Sequence, residues 1–262
     1  MKILMIIGSG RRSGNTEQIG ELLTAHLQQE ARQHRVELEV ETVYLGQQSF
    51  QFCRGCRVCF DRGEALCPLK DGALDLKNRM LAADGIVLAS PVYVDDVSGL
   101  MKNFIDRMCH MCHRPQLAGK TAYAIATTGS SRTGKTLETM SMALRTWGCH
   151  LAGQTGFATG ALMKGSEAKD RFDLQAARAA RAIFSAVYRQ APHRPAFFSL
   201  MMFKIQQMSW RAKGKPGTLD FNYWQEQGWL DPKRTFYIDH EAGRLKTSLA
   251  RLTGSILGKF VA

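Results

Sequence analysis

Lys2-Ile3-Leu4-Met5-Ile6-Ile7-Gly8-Ser9-Gly10-Arg11-Arg12-Ser13-Gly14-Asn15-Thr16 is the stretch on which the fold turns. The short apolar run at its start reads as a buried strand. Ile19, Leu22, Leu23, Leu27 and Ala31 follow at helical spacing. A loop rich in Gly, Ser, Thr and Arg therefore joins a strand to the start of a helix. Such a loop offers free backbone N–H groups, short hydroxyls and the positive end of a helix dipole to an anion. Arg11 and Arg12 add charge, and a phosphate is the natural occupant. An ordinary capped turn is the bland alternative.

The kind of phosphate follows from what the loop lacks. A dinucleotide fingerprint wants G-x-G-x-x-G, whereas here the third glycine comes one residue late, at Gly14. It also wants an acidic residue ending the second strand, which instead ends Thr42-Val43-Tyr44. A Walker loop wants Gly-Lys-Ser/Thr, and this loop has Gly14-Asn15-Thr16. The many side-chain oxygens suit a terminal phosphomonoester, which can be wrapped on all sides.

Further along, Val36, Leu38 and Val40 alternate with Glu37, Glu39 and Glu41, the pattern of a half-buried strand at a sheet edge. Residues 85–90 and 121–126 are near-continuously apolar, as parallel strands covered on both faces are. A weaker strand is expected from Cys149 to Phe157. Helical patterns fall between them, at 74–83, 100–108, 137–147 and 167–188. This alternation predicts an α/β, doubly wound parallel sheet of order 2-1-3-4-5, with a ligand beyond the carboxyl ends of strands one and three.

The chain has 262 residues, 45% hydrophobic, with a formal charge of +12. That charge suits anionic cofactors and acidic partners; no helix–turn–helix, zinc-finger or RNA-binding signature accompanies it, so nucleic acid is not expected. No apolar run reaches membrane-spanning length. The first apolar stretch is shorter than a signal-peptide core, so a cytoplasmic location is expected, with seven cysteines reduced and read as ligands or plain thiols. Residues 193–262 hold 11 of the 23 aromatic residues and 11 Lys/Arg against 5 Asp/Glu. The expected division is a domain at 1–190, with a Cys-rich loop at 50–70, and an aromatic, basic extension at 191–262. Phe197 to Trp210 reads as an amphipathic helix. The extension is expected to wrap the domain or a dimer partner, with a membrane-surface or lid role as the alternative.

Three motifs fall in one order: Gly8-Ser9-x-Arg11-x-x-Gly14-Asn15-Thr16, then Ser90-Pro91-Val92-Tyr93, then Lys102-x-Phe104-Ile105-Asp106-Arg107. Over about residues 1–160 the chain resembles the NADPH-dependent FMN reductase group of flavodoxin-like proteins. That resemblance implies FMN, with its phosphate held by Ser9, Arg11, Ser13, Asn15 and Thr16. The isoalloxazine would rest against Pro91, Val92, Tyr93 and Val94, and a third flavin loop maps to Thr128, Gly129 and Ser130. It also implies a homodimer or higher homo-oligomer. Tyr93 is the nearest candidate for a ring neighbour, and no acid–base pair is evident.

Cys53-x-x-Cys56-x-x-Cys59-x7-Cys67-Pro68 brings four soft thiolates close in sequence, which suits a 4Fe–4S cluster or zinc, or leaves plain thiols. The compact run resembles that of iron–sulfur flavoproteins, a branch of the same family, although the last gap is wider. Gly129 to Thr136 satisfies G-x-x-x-x-G-K-T, a P-loop pattern, without an apolar strand ending in a Mg²⁺-binding Asp. Cys109-His110-Met111-Cys112-His113 matches a haem-attachment pattern but continues a helix. Core or subunit contacts suit it better, with His113, Arg114 and Pro115 shaping a pocket or dimer seam. Cys149 reads as a buried small hydrophobe.

The leading expectation is an FMN-dependent NAD(P)H oxidoreductase passing reducing equivalents to a quinone, a flavin or a small electrophile. The alternative is a non-catalytic electron carrier reduced by ferredoxin, and a P-loop NTPase comes third.

Overall fold

The computed structural model describes residues 1–130, 132–164, 166–189 and 193–261. Five parallel strands, β1 (Lys2–Ile7), β2 (Glu39–Tyr44), β3 (Gly85–Tyr93), β5 (Thr121–Thr128) and β6 (His150–Ala158), lie in the order β2-β1-β3-β5-β6. The two-residue β4 (Asp96–Val97) turns back antiparallel on the end of β3. Counted over the long strands this is the 2-1-3-4-5 order of a flavodoxin-like sheet.

Apolar runs form these strands because successive side chains enter opposite cores. Ile3, Met5 and Ile7 pack with α1 (Asn15–His34) and α6 (Glu167–Tyr188) on one face. Leu4 and Ile6 pack with α3 (Ala73–Ala82), α4 (Gly99–Arg107) and α5 (Gly134–Thr146) on the other. The edge strand starts at Glu39 rather than Val36, because its pairing begins opposite Lys2, where β1 itself begins. A single turn of helix, α2 (Val58–Asp61), interrupts the Cys-rich loop, and Cys109–Cys112 forms a 3₁₀ turn after α4.

The C-terminal segment carries α7 (Phe197–Lys213), α8 (Leu219–Glu226) and α9 (Arg244–Val261). It has its own aromatic cluster of Leu200, Phe203, Trp224, Trp229, Phe236 and Tyr237. The buried Gln207 amide fastens that cluster by donating to the carbonyls of Trp229 (2.9 Å) and Asp231 (2.8 Å). The segment is tied to the sheet domain through residues 109–115. Trp224 Nε1 donates to His113 O at 2.7 Å, and Gln206 donates to Cys112 O at 3.0 Å. The expected boundary at 190/191 lies outside the described residues.

Candidate functional site

At the carboxyl end of the sheet, loops after β1, β3, β5 and β6 surround a small cleft of about 90 Å³. Its walls hold Ser9, Arg11, Asn15 and Thr16 on one side and Pro91, Val92 and Tyr93 on another, closed by Thr128 and Gly129. The first hydrogen bond inside α1 is Gln18 N–H to Gly14 O (3.0 Å), so the preceding N–H groups have no intrahelical partner.

Close backbone packing shapes this loop. A Cβ on Gly8 would lie 2.8 Å from Met101 Cβ, and one on Gly46 would lie 2.6 Å from Ser9 O. Ser98 caps α4 by accepting from Met101 N–H (3.1 Å) and donates its hydroxyl to Gly8 O (2.5 Å). Ser90 Oγ in turn accepts from Ser98 N–H at 3.0 Å. The start of α4 and the end of β3 therefore lock the loop from below.

The two arginines divide. Arg12 pairs with the buried Glu17 (3.3 Å) and lies 4.6 Å over the Tyr44 ring. Arg11 lines the cleft, and among the described residues no carboxylate pairs with it. Ser13 turns away at φ 55, its N–H donating to Glu17 (2.5 Å), and is not part of the cleft wall.

Asn15 is committed elsewhere. Its amide nitrogen donates to Thr159 Oγ1 and Gly160 O, both at 2.8 Å, and its oxygen accepts from Met163 N–H at 2.8 Å. The Asn15 side chain therefore positions the loop after β6, leaving its backbone N–H for a ligand. Thr16 Oγ1 meets Thr127 Oγ1 at 2.7 Å in the cleft floor. Thr159, Gly160, Ala161 and Leu162 complete the wall and were not expected from sequence. The signal that could have found them is positional: their strand neighbours β5, so its carboxyl-end loop must reach the same rim.

Val94 and Asp95 form the hairpin tip at φ 49 and φ 65, and Val94 is fully exposed. Neither Val94 nor Ser130 lines the cleft, although each follows a residue that does. Lys135 of the G-x-x-x-x-G-K-T pattern reaches Asp96 (3.7 Å), away from the cleft that Gly129 lines. Ser131 of that pattern lies outside the described residues.

A second, larger cavity of about 420 Å³ lies beside the Cys-rich loop. Cys53, Cys56, Cys59 and Cys67 all line it, joined by Cys109 and His110. Cys59 Sγ and Cys109 Sγ stand 3.9 Å apart. The hydrogen bond from Cys109 holds the Cys59 thiol down at about 7 and pushes the Cys109 thiol up. Cys67 lies against the Arg107 guanidinium. Arg114, 2% exposed, donates to Cys59 O (2.7 Å) and Glu64 (3.0 Å) and pairs with Asp220 of α8. Asp220 also receives His113 at 2.7 Å. Burial would raise the Glu64 carboxyl, but Lys77 at 2.8 Å and hydrogen bonding hold it at about 2. His110 is buried with neither ring nitrogen hydrogen-bonded, and burial lowers it to about 4.

A family model described as NADPH-dependent FMN reductase matches residues 1–163. The chain belongs to that family. An iron–sulfur flavoprotein of Archaeoglobus fulgidus is 29% identical over 231 residues, 88% of this chain and 100% of that protein. An iron–sulfur flavoprotein of Methanocaldococcus jannaschii is 34% identical over 134 residues, 51% of this chain and 65% of that protein. RosB, solved with its bound intermediate 8-demethyl-8-formylriboflavin-5′-phosphate, shares the fold. Its TM-score is 0.57 at 15% identity, covering 92% of this chain and 91% of that one.

For an FMN reductase the first cleft has a fitting donor set: helix N–H groups without intrahelical partners and the Arg11 guanidinium, which no carboxylate among the described residues pairs, suit a phosphomonoester, beside the Ser9 hydroxyl, which is held to the Arg11 backbone at 3.3 Å. The cysteine cavity has soft donors, but among the described residues no three His, Cys, Asp or Glu side chains converge to hold a metal. The Cys53, Cys56, Cys59 and Cys67 thiols therefore do not fit a cluster in this arrangement.

Proposed function

We propose that this chain is an FMN-dependent NAD(P)H oxidoreductase whose acceptor is a quinone, a free flavin or a small electrophile. The observation that carries the reading is Arg11, which has no carboxylate partner among the described residues, set beside the N–H groups at the start of α1 that lack intrahelical partners. The neighbouring Arg12 is instead paired with Glu17.

In this reading Ser9, Arg11 and the backbone N–H groups of Asn15 and Thr16 hold the FMN phosphate. Ser13 fixes the approach by tying its N–H to Glu17. The ring would rest against Pro91, Val92, the half-exposed Tyr93 and Val94, with Thr128, Gly129 and Ser130 on the far edge. Bound FMN would supply two-electron acceptance from a nicotinamide and return to an acceptor. The chain's own part is to anchor, orient and shield. Asn15 and Thr159 brace the rim, and the Tyr93–Asp96 hairpin covers one side.

The test compares FMN with riboflavin in a fluorescence titration, followed by NADPH and NADH oxidation with a quinone acceptor. The reading expects tight FMN binding, much weaker riboflavin binding, and turnover that follows flavin loading. Equal affinity for the two flavins would remove the phosphate anchor. FMN-loaded protein that ferredoxin reduces, but neither nicotinamide does, would favour an electron carrier, which the iron–sulfur flavoprotein relatives and the net charge of +12 also support.

A further inference from the structure

Helix α9 is built the wrong way round for an ordinary surface helix. The face it turns to α7 is made of small residues: Ala250 is fully buried, a Cβ on Gly254 would lie 2.8 Å from Met201 O, and one on Gly258 would lie 3.0 Å from Met208 Sδ. Its large apolar side chains point outward instead. Leu245 is 74% exposed, Leu249 49%, Leu252 59%, Ile256 52% and Phe260 85%. At 100° per residue these five cluster on the side opposite Ala250, Gly254 and Gly258. A contiguous exposed apolar stripe of this kind marks an interaction surface.

The charge around the stripe selects the occupant. Arg244, Lys246, Arg251 and Lys259 belong to α9, and Lys204, Arg211 and Lys213 to α7, while neither helix holds an acidic residue. Among the described residues no carboxylate pairs with Arg244, Lys246 or Lys259. Two such faces brought together would place like charges side by side, which works against a second copy of this chain. An anionic lipid surface satisfies both features at once, taking the leucine side chains among the acyl chains and the cations at the headgroups. No helix among the described residues is long and apolar enough to cross a membrane, so α9 would lie in the interface plane.

We propose that α9 docks this protein on anionic membrane surfaces, through the Leu245–Phe260 stripe flanked by Arg244, Lys246 and Lys259. The stripe stands apart from the flavin cleft, and the proposal does not depend on flavin chemistry. The test is co-sedimentation of the full chain with vesicles of phosphatidylcholine alone or mixed with phosphatidylglycerol. Partitioning is expected to be about tenfold or more stronger on the anionic vesicles and to weaken as salt rises. Leu252→Glu with Ile256→Glu is expected to lower it at least about tenfold, with unchanged circular dichroism and FMN binding. A second variant, Lys246→Gln with Lys259→Gln, leaves the apolar face intact and is expected to erase most of the preference for anionic lipid. The proposal is overturned by equal partitioning on both vesicle types, or by binding that the glutamate pair leaves unchanged. It is also overturned if the wild type ignores vesicles while light scattering shows a dimer that the glutamate pair splits.

Discussion

The flavin cleft and the cysteine cavity are held together by different forces. The cleft is a backbone construction: glycines let the first loop lie against Met101 and against the turn after β2, and the N–H groups at the start of α1 lack intrahelical partners. Its essential contacts lie near one another in the chain or follow from strand order. The cavity is a side-chain construction. Arg114 gathers Cys59, Glu64 and Asp220, the last of them 106 residues away, and thereby joins the Cys-rich loop to the C-terminal segment. A site shaped by backbone fails when a Cβ intrudes; a buried charge site fails when one partner is lost.

The largest effect should follow from breaking that buried set. Arg114→Ala leaves Asp220 and Glu64 without their shared cation in a buried site, and such a loss costs about 3–5 kcal/mol. Urea unfolding should show it, and Cys59 should react more slowly with a thiol reagent, because the Arg114 charge that helps lower its thiol is gone. A loss below about 1 kcal/mol would mean that the network behaves like exposed ion pairs, and the contrast between the two regions would fail.

The cleft should respond to charge in a ligand-specific way. Arg11→Ala removes charge-assisted hydrogen bonds worth about 1.5–3 kcal/mol, roughly 10- to 100-fold in FMN affinity. Riboflavin, which lacks the phosphate, should bind the variant as it binds the wild type. Arg12→Ala should disturb FMN far less, since that side chain already serves Glu17 and Tyr44. If the two arginine variants lost FMN equally, the assignment of Arg11 as the anchor would be wrong.

Two glycines of the same loop region separate close packing from mere flexibility. A Cβ on Gly46 would meet two backbone atoms, Ser9 O at 2.6 Å and Gly10 Cα at 2.8 Å, neither of which can swing aside. Overpacking of that kind costs about 1–3 kcal/mol, and displacement of Ser9 should carry into FMN affinity. A Cβ on Gly10 would meet only Leu100 Cδ1, at 3.7 Å, an ordinary contact. Gly46→Ala should weaken FMN binding while Gly10→Ala leaves it intact; the reverse order would show that the loop is not shaped by the turn after β2.

The same division explains what was legible in the sequence. Ile3, Met5 and Ile7 enter one core and Leu4 and Ile6 the other, so an unbroken apolar run could only be a strand covered on both faces. The loop after it advertised its ligand through residue types that backbone geometry needs. The wall at Thr159 to Leu162 carried no such mark, because its residues are ordinary and only strand order brings them to the rim. Asn15 was expected at the phosphate, but its amide is drawn off by that same unmarked loop. Cys53, Cys56, Cys59 and Cys67 promised a ligand set by spacing alone. Spacing could not show that Cys59 would meet Cys109, 50 residues on, or that Cys67 would face Arg107.

A pH effect also belongs to the cavity. His110 is neutral in the fold with a value near 4, below the ordinary 6.5, because burial disfavours its charged form. Between about 6.5 and 4 the unfolded chain therefore binds a proton that the folded chain refuses, so stability is fully present above 6.5 and falls with decreasing pH, by at most about 1.4 kcal/mol per pH unit. Glu64, held near 2 against an ordinary 4.5, adds stability that is present above 4.5 and lost as pH falls toward 2. His110→Phe should flatten the upper window and also shrink the lower one, since the His110 charge helps lower Glu64; Glu64→Gln should remove the lower window and deepen the upper one, since Glu64 holds His110 up, at the cost of its contacts with Lys77 and Arg114. The FMN phosphate itself titrates at about 6, so FMN affinity per folded molecule should fall across the upper window, equally in the wild type and in His110→Phe. A fall in FMN affinity that His110→Phe abolished would show the two regions to be coupled, which their separate construction does not allow.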